Sequence, residues 1–319
     1  MFLVCGEALF DLFASPARPG VANRLTLEAV AGGSPFNVAV GLARLGVPAA
    51  LFTGLSTDPL GNQLLRVLQD EGVERRFLVR FDAPTTLATV GVGADGSPVY
   101  GFRGDGCADR LPRLKHLPAL DDAIRAIHLG SYSLVVPPVA DTLLALVERE
   151  QGRRLISLDP NVRLNVEPDA GVWRGRVEAL ARYAHLIKVS DEDLRALYPH
   201  SPAEAIAESW LGERCELVLL TRGSGGASVF SRRHGALHLP AQATRLCDTV
   251  GAGDTFQAAV LAWLHARGLA GREALGSLSR ADLGAMLGVA IAAASVTCSR
   301  TGPDLPRRHE VPGLSPAAG

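Results

Sequence analysis

Lysine is nearly missing from this 319-residue chain: Lys115 and Lys188 are the only two, and the remaining Lys/Arg positions are all arginine. No Gly-Lys dipeptide occurs. That excludes the G-x-x-x-x-G-K-S/T loop, whose lysine brings positive charge to the β- and γ-phosphates, and the V-A-I-K element of protein kinases is absent too. Nucleotide chemistry in this chain has to be built another way. Cysteine is sparse: Cys5, Cys107, Cys215, Cys247 and Cys298 are odd in number, far apart and form no C-x-x-C. We therefore expect reduced thiols in a cytoplasmic protein rather than a zinc or disulfide framework. Charge excess is lacking as well, since 32 basic and 33 acidic residues leave a net charge of −1, and nothing draws the chain to nucleic acid or an anionic membrane. There is no G-x-S-x-G hydrolase elbow and no fixed-period repeat. Residues 1–5 are apolar but lack a preceding basic flank, and Glu7 and Asp11 follow, so they read as a buried strand, not a signal peptide. Residues 283–299 carry no charge, yet they are slightly short of the roughly 20 needed to span a bilayer and rich in small residues. We expect a close-packed core helix there.

What the chain does have is apolar surface. With 47% hydrophobic and 20% charged residues, it can bury enough to offset the entropy lost on ordering. Its length corresponds to about two domains of roughly 150 residues, although α/β folds of this size often form one unit. Apolar strand candidates at 2–6, 49–54, 125–129, 154–158, 185–189 and 216–221 alternate with helical patterns, the order of a parallel sheet covered by helices on both faces. Ser34-Pro35 reads as N-cap and first helical residue with Gly46 as the stop, and Asp58-Pro59 with Gly72 repeats the scheme. Later helices fall at 137–151, 254–267 and 282–296. Residues 85–102 break the pattern, because β-branched segments around Asp95-Gly96 read as a hairpin. Strands near 8–13 and 24–30, flanking Pro16-Ala17-Arg18-Pro19-Gly20, would extend it into a small sheet inserted as a lid. We expect one unit over 1–312 with lid segments at about 8–30 and 85–106, and a loosely held end after Gly302, with 313–319 as its tail.

Several motifs fail on context. Gly91-Val92-Gly93-Ala94-Asp95-Gly96 matches the dinucleotide fingerprint G-x-G-x-x-G of a nicotinamide-dependent dehydrogenase, but Ser97-Pro98-Val99-Tyr100 continues as strand where a helix must start. Arg103-Gly104-Asp105 is a chance tripeptide. His234 and His238 lie on a surface hairpin rather than on a helix presenting both to zinc.

One segment survives: Asp248-Thr249-Val250-Gly251-Ala252-Gly253-Asp254-Thr255-Phe256, followed by a helical run. Gly251, Ala252 and Gly253 let backbone N–H groups converge at a helix start, where the dipole also favours an anion. Asp254 would sit beside that anion and accept a proton from an attacking hydroxyl. The alternative is a glycine turn with Asp254 as a helix cap. This segment resembles the signature of ribokinase-like carbohydrate kinases, and the resemblance extends over nearly the whole chain. Ala31-Gly32-Gly33-Ser34-Pro35-Phe36-Asn37 is similar to the N-terminal signature of that family, and Asp11 to its sugar-binding aspartate. A glycine pair lets a polyol approach bare backbone while Asp and Asn exchange hydrogen bonds with its hydroxyls; the plain alternative is a turn before a capped helix.

The resemblance implies a three-layer α/β/α fold with a mainly parallel central sheet and a small β lid that closes over the sugar. It places Asp254 as base, Gly251 to Gly253 as the anion hole, and Asp11, Gly32, Gly33, Asn37, Arg103 and Arg163 on the sugar. It gives Ser190, Thr221, Gly223, Gly226 and Thr249 to ATP, Asp193 to a water of Mg²⁺, and Asp248 to a monovalent cation such as K⁺. Ser190 and Asp193 depart from the Asn and Glu of many members and also read as a helix capping box. Lys188-Val189-Ser190-Asp191-Glu192-Asp193, Asp159-Pro160-Asn161-Val162-Arg163 and His128-Leu129-Gly130-Ser131 look most like the fructokinase branch. A kinase for 2-keto-3-deoxygluconate or ribose, or a catalytically silent sugar sensor, remains open at this point. A homodimer through the lid is a further expectation, because a lid sheet has unpaired edges and an apolar face.

Overall fold

The computed structural model describes residues 1–14, 26–92 and 98–314. Thirteen strands and eight α-helices follow one another among these residues. The strands are β1 (Phe2–Cys5), β2 (Leu9–Ala14), β3 (Leu27–Gly32), β4 (Ala49–Ser56), β5 (Leu78–Phe81), β6 (Leu87–Val92), β7 (Pro98–Arg103), β8 (Ala126–Gly130), β9 (Leu155–Asp159), β10 (Leu186–Ser190), β11 (Leu217–Thr221), β12 (Ala227–Ser231) and β13 (Gly235–Leu239). The helices are α1 (Ser34–Arg44), α2 (Pro59–Asp70), α3 (Val139–Glu150), α4 (Ala170–Ala181), α5 (Asp191–Leu197), α6 (Ala203–Ser209), α7 (Ala252–Ala266) and α8 (Arg280–Cys298).

Nine strands form the central sheet in the order β13-β12-β11-β10-β9-β8-β1-β4-β5. All neighbours from β11 to β5 pair in parallel, while β12 and β13 add an antiparallel edge. This is the expected α/β three-layer body. Side chains of β1 divide between its faces: Phe2 and Val4 join the layer of α1, α2, α7 and α8, whereas Leu3 and Cys5 join that of α3, α4, α5 and α6. Two-sided burial explains why these strands read as continuous apolar runs. α8 is long and apolar enough by composition to cross a membrane, yet Leu283, Met286, Leu287, Ala290 and Ala293 are buried in the first of these layers. It is the core helix expected at this position. The end after Gly302 is held more firmly than expected: Leu305, Val311 and Leu314 are buried, and Arg308 donates to the carbonyl of Leu314 at 3.0 Å. All five cysteines are free thiols.

The second sheet has the order β3-β2-β6-β7. Both expected pairs of strands are present, β2 antiparallel to β3 and β6 antiparallel to β7, and a parallel β2–β6 pairing joins them. The turns expected at Pro16 to Gly20 and at Asp95-Gly96 lie outside the described residues. The order of the central sheet reverses at β1, whose carboxyl end and that of β8 flank the point where ligands enter open α/β sheets. The lid is inserted directly after β1 and again after β5.

Asp58 connects this lid to the body. Its carboxylate caps α2 by accepting from the N–H of Gly61 at 2.6 Å, and it also accepts the N–H and hydroxyl of Thr85 at 2.9 and 2.7 Å. Burial alone would raise its pKa, but these donors outweigh it and hold the carboxyl below the usual range. The stabilisation is therefore present above about pH 4, the ordinary carboxylate value, and is lost as pH falls below it. Asp58→Ala should cost about 1–2 kcal/mol at pH 7, a lost cap plus a lost part-buried hydrogen bond, and thermal unfolding should show the difference from wild type shrinking toward pH 3.

Candidate active site

Two helix starts meet at the carboxyl edge of the sheet. α7 begins after Gly251, whose φ of 78° is left-handed and where a Cβ would lie 2.8 Å from the Pro303 side chain. Asp254 is the third residue of α7 and 7% exposed. Its Oδ1 accepts from Ser34 Oγ at 2.7 Å and its Oδ2 from Asn37 Nδ2 at 2.8 Å. Asp254 is thus not the cap of its helix, because Gly251 holds that position and both carboxylate oxygens face another helix. Ser34, expected as the cap of α1, is likewise its first helical residue. Gly33 takes the cap with φ 101° and sits where a Cβ would come within 2.9 Å of the Glu7 carbonyl oxygen. A side chain cannot fit there, and the shift by one position turns the Ser34 hydroxyl toward Asp254.

Gly32 is required for a different reason. A Cβ there would lie 2.3 Å from Asp11 Oδ2, so bare backbone and carboxylate share one wall. Burial pushes the Asp11 carboxyl up to about 6, with the Arg163 guanidinium pulling it down and Asp254 adding to the rise. Arg163 is half-buried and donates to the carbonyls of Asn161 and Val162 at 3.3 and 3.0 Å. Asp11, Gly32, Gly33, Asn37, Arg163 and Asp254 thereby form one neighbourhood. Arg103 is exposed at the end of β7, and no hydrogen bond or ion pair among the described residues joins it to that neighbourhood.

Sequence reasoning assigned no role to the ion pair beneath the glycine loop. Lys188 Nζ lies 2.9 Å from Asp159 Oδ2, with both side chains buried, and a Cβ on Gly253 would be 3.1 Å from the same ammonium. Burial pushes Lys188 toward its neutral form, but Asp159, Asp193 and Asp254 more than offset this and raise its pKa. The ammonium therefore adds full positive charge to the helix start. Asp159 Oδ1 is buried without a hydrogen-bond partner. The available signal was Lys188 itself, one of two lysines and set in the middle of the otherwise uncharged strand β10. Gln257, one turn beyond Asp254, donates to Ser157 Oγ at 2.7 Å and ties α7 to β9.

The remaining expected positions lie along the same edge. Ser190 and Asp193 form a reciprocal capping box at the start of α5, and Asp193 Oδ1 also accepts the N–H of Val162 at 2.8 Å. Thr221 ends β11, its hydroxyl 3.4 Å from the Val189 carbonyl. Gly223 has φ 50° and open space around it, whereas a Cβ on Gly226 would lie 2.2 Å from the Leu239 carbonyl. Packing alone demands glycine at 226. Asp248 accepts from the N–H groups of Val250 and Gly302 at 3.0 and 2.9 Å, which fastens the glycine loop to the segment after α8; Thr249 is exposed. Among the described residues no group of three or more His, Cys, Asp or Glu side chains could hold a metal ion.

A family model described as pfkB family carbohydrate kinase matches residues 1–309. The chain is 34% identical over 316 residues to the fructokinase of Rhizobium leguminosarum bv. trifolii, covering 98% of this chain and 90% of that protein. It is 32% identical over 265 residues to fructokinase-1 of Oryza sativa subsp. japonica, covering 80% of each. The crystal structure of the Xylella fastidiosa fructokinase with bound ATP matches with a TM-score of 0.88 at 27% identity, over 98% of this chain and 97% of that one.

The buried pair generates a stability test. Lys188→Met leaves Asp159 uncompensated and should cost about 3–5 kcal/mol in urea unfolding. Adding Asp159→Asn removes the stranded charge and should recover part of that loss. Strictly additive losses would show that the two groups are not coupled.

Proposed function

Because the chain belongs to the pfkB family of carbohydrate kinases, we propose that it transfers the γ-phosphoryl group of ATP to a hydroxyl of free fructose. The observation that carries this reading is the Asp254 carboxylate, held by two side-chain donors one residue beyond a glycine loop. Asp11, Gly32, Gly33 and Asn37 line the sugar side, where carboxylate and amide alternate with bare backbone. Arg163 adds a cation beside Asp11, and Arg103 would reach the sugar only through movement of the lid. The sugar hydroxyl nearest Asp254 gives up its proton to that carboxylate as it attacks. Charge developing on the transferred group is met by the N–H groups of Gly251 and Gly253 and by Lys188; the N–H of Ala252, expected to join them, is already given to the Thr249 carbonyl at 3.2 Å. The bonds from Ser34 and Asn37 keep the carboxylate aimed, so little reorganisation remains for the reaction itself.

The nucleotide lies along the ends of β10 and β11, bordered by Ser190, Thr221, Gly223, Gly226 and Thr249. Three carboxylates, Asp159, Asp193 and Asp254, surround one ammonium, a balance that suits a nucleotide carrying its own cation better than a bare polyanion. Mg²⁺ would arrive with ATP and neutralise charge between its phosphates; the unpartnered oxygen of Asp159 and the carboxylate of Asp193 fit its waters. Asp248, with both oxygens already taken by backbone donors, has lone pairs left for a monovalent cation such as K⁺. β3 is an edge strand with Leu27 41% exposed, the feature that supports a homodimer through the lid. Five free thiols accord with a reducing, cytoplasmic setting.

Release of ADP should be measured across fructose, ribose, adenosine and 2-keto-3-deoxygluconate, with fructose expected to give the highest kcat/KM. Turnover confined to another sugar would reassign the substrate and keep the reaction. In the same assay Asp254→Asn should lower kcat on the order of 10²–10⁴-fold with both KM values nearly unchanged. The fold should survive, since the Ser34 hydroxyl can turn to accept from the new amide. Near wild-type turnover of that variant would remove the base and leave Gly251 to Gly253 as a binding loop alone.

A further inference from the structure

Beneath the lid lie two buried carboxylates that the proposed reaction does not use. Glu7 follows β1 and is 1% exposed; Asp109 follows β7 and is 2% exposed. Both face the short 3₁₀ turn Ser131–Leu134 at the end of β8. Ser133 Oγ donates to Glu7 Oε2 at 2.5 Å, with Ser131 also bonded to that carboxyl. Tyr132 OH donates to Asp109 Oδ2 at 2.8 Å, and Thr86 Oγ1 donates to Asp109 Oδ1.

These contacts fall on every crossing between lid and body. Entry to β2 passes through Glu7 itself, and exit from β3 passes Gly33, whose missing side chain makes room for the Glu7 carbonyl. Entry to β6 passes Thr86, whose carbonyl also accepts the N–H of Phe10 at 3.1 Å. Exit from β7 passes Phe102, edge-on to the Tyr132 ring at 5.8 Å, and then Gly104, packed on Arg110. We infer that Glu7 and Asp109 are positioning residues that fasten the four roots of the lid to the Ser131–Leu134 turn and so set the fit of the Gly32-Gly33 pair against the sugar. The part concerning sugar rests on the kinase reading; the anchoring of the lid does not.

The charge state of Glu7 gives the anchor a signature. Burial pushes its carboxyl up to about 7, the two serines pull it down, and Asp109 adds to the rise. The other ionisable groups around it are Asp109, Tyr132 and Cys107, all pushed up by burial first. Arg110 completes the surroundings, lying 5.2 Å over the Tyr132 ring and paired with Asp105 at 3.0 Å. Glu7 holds its proton below pH 7 and ionises as pH rises through that value, which places a negative charge beside the Asp109 carboxyl in a dry site. The closed anchor therefore binds more protons than an opened one between the ordinary carboxylate value and 7, so it is tightest in acid, weakens across that window and is loosest above pH 7.

Glu7→Gln, Glu7→Ala and Tyr132→Phe test this. Hydrogen exchange of residues 87–92 and 98–103, corrected for the intrinsic rate, is read at pH 6 and pH 8 without sugar. Wild-type lid exchange should quicken at pH 8; Glu7→Gln, neutral at both, should stay slow, and Glu7→Ala should be fast at both. Tyr132→Phe, which keeps the ring, should quicken exchange at both values and carries the test if Glu7→Ala does not fold. With fructose, Glu7→Ala and Tyr132→Phe should raise the sugar KM about tenfold, as loss of one buried hydrogen bond implies, and leave the ATP KM within about twofold. Glu7→Gln should rescue the sugar KM. Lid exchange unaltered in every variant, or sugar and ATP KM rising together, would overturn the assignment. If no sugar supports ADP release by the wild type, the kinase reading fails while the exchange data still decide the anchor.

Discussion

The carboxylate of Asp254 is bonded to two residues that precede it by 220 and 217 positions, and the rest of the site depends on that meeting. It requires the starts of α1 and α7 to lie side by side. Gly41 makes this possible, since a Cβ there would fall 2.9 Å from Ala258 Cβ and 2.7 Å from Leu305 Cδ2. Gly33 then caps the start of α1 in a conformation closed to other residues and presents Ser34 to the carboxylate. The same turn lays Gly32 against Asp11. Helix packing, a left-handed cap and a pair of hydrogen bonds are thus one constraint seen at three scales.

This constraint also explains what could be read in advance. The glycine loop and Asp254 are contiguous, and a helix start after glycines implies its own electrostatics, so their arrangement was legible. The central strands were legible because two-sided burial leaves uninterrupted apolar runs; β12 and β13, at the sheet edge, carry a weaker signal. The lid pairs were visible from their β-branched content and turn residues, but not the β2–β6 pairing that unites them, which joins distant segments. Ser34 was misread for the same reason. Its local context describes a cap, and only the approach of α7 gives its hydroxyl another partner. Lys188, Asp159 and Glu7 are hidden in apolar strands or at their ends, where their roles follow from the register of neighbouring strands rather than from any spacing.

Electrostatically the site is built from opposed demands. Lys188 is kept charged in a buried position by neighbouring carboxylates, while burial pushes the carboxyl of its partner Asp159 up to about 6. The Asp159 oxygen left without a donor is the cost of bringing that ammonium to the glycine loop. Asp193 resolves the same problem differently, spending both oxygens on backbone N–H groups at the start of α5 and after β9. Reading it as a capping residue or as a neighbour of the nucleotide's cation is therefore not a choice between exclusives.

The pairing of β2 with β6 aligns Phe10 with Leu87 and Phe13 with Val90, although α1, β4, α2 and β5 intervene in the chain. Neither excursion can complete the lid by itself. On a ribosome, β2 and β3 emerge as a lone hairpin and must wait for β6 and β7, and their non-local pairing closes a large loop before it returns any contact energy. The lid should therefore be among the last parts to assemble, after the layer of α1 and α2 has closed over β1 and β4. During synthesis the exposed hairpin would be the segment most open to capture by a chaperone or by another nascent copy.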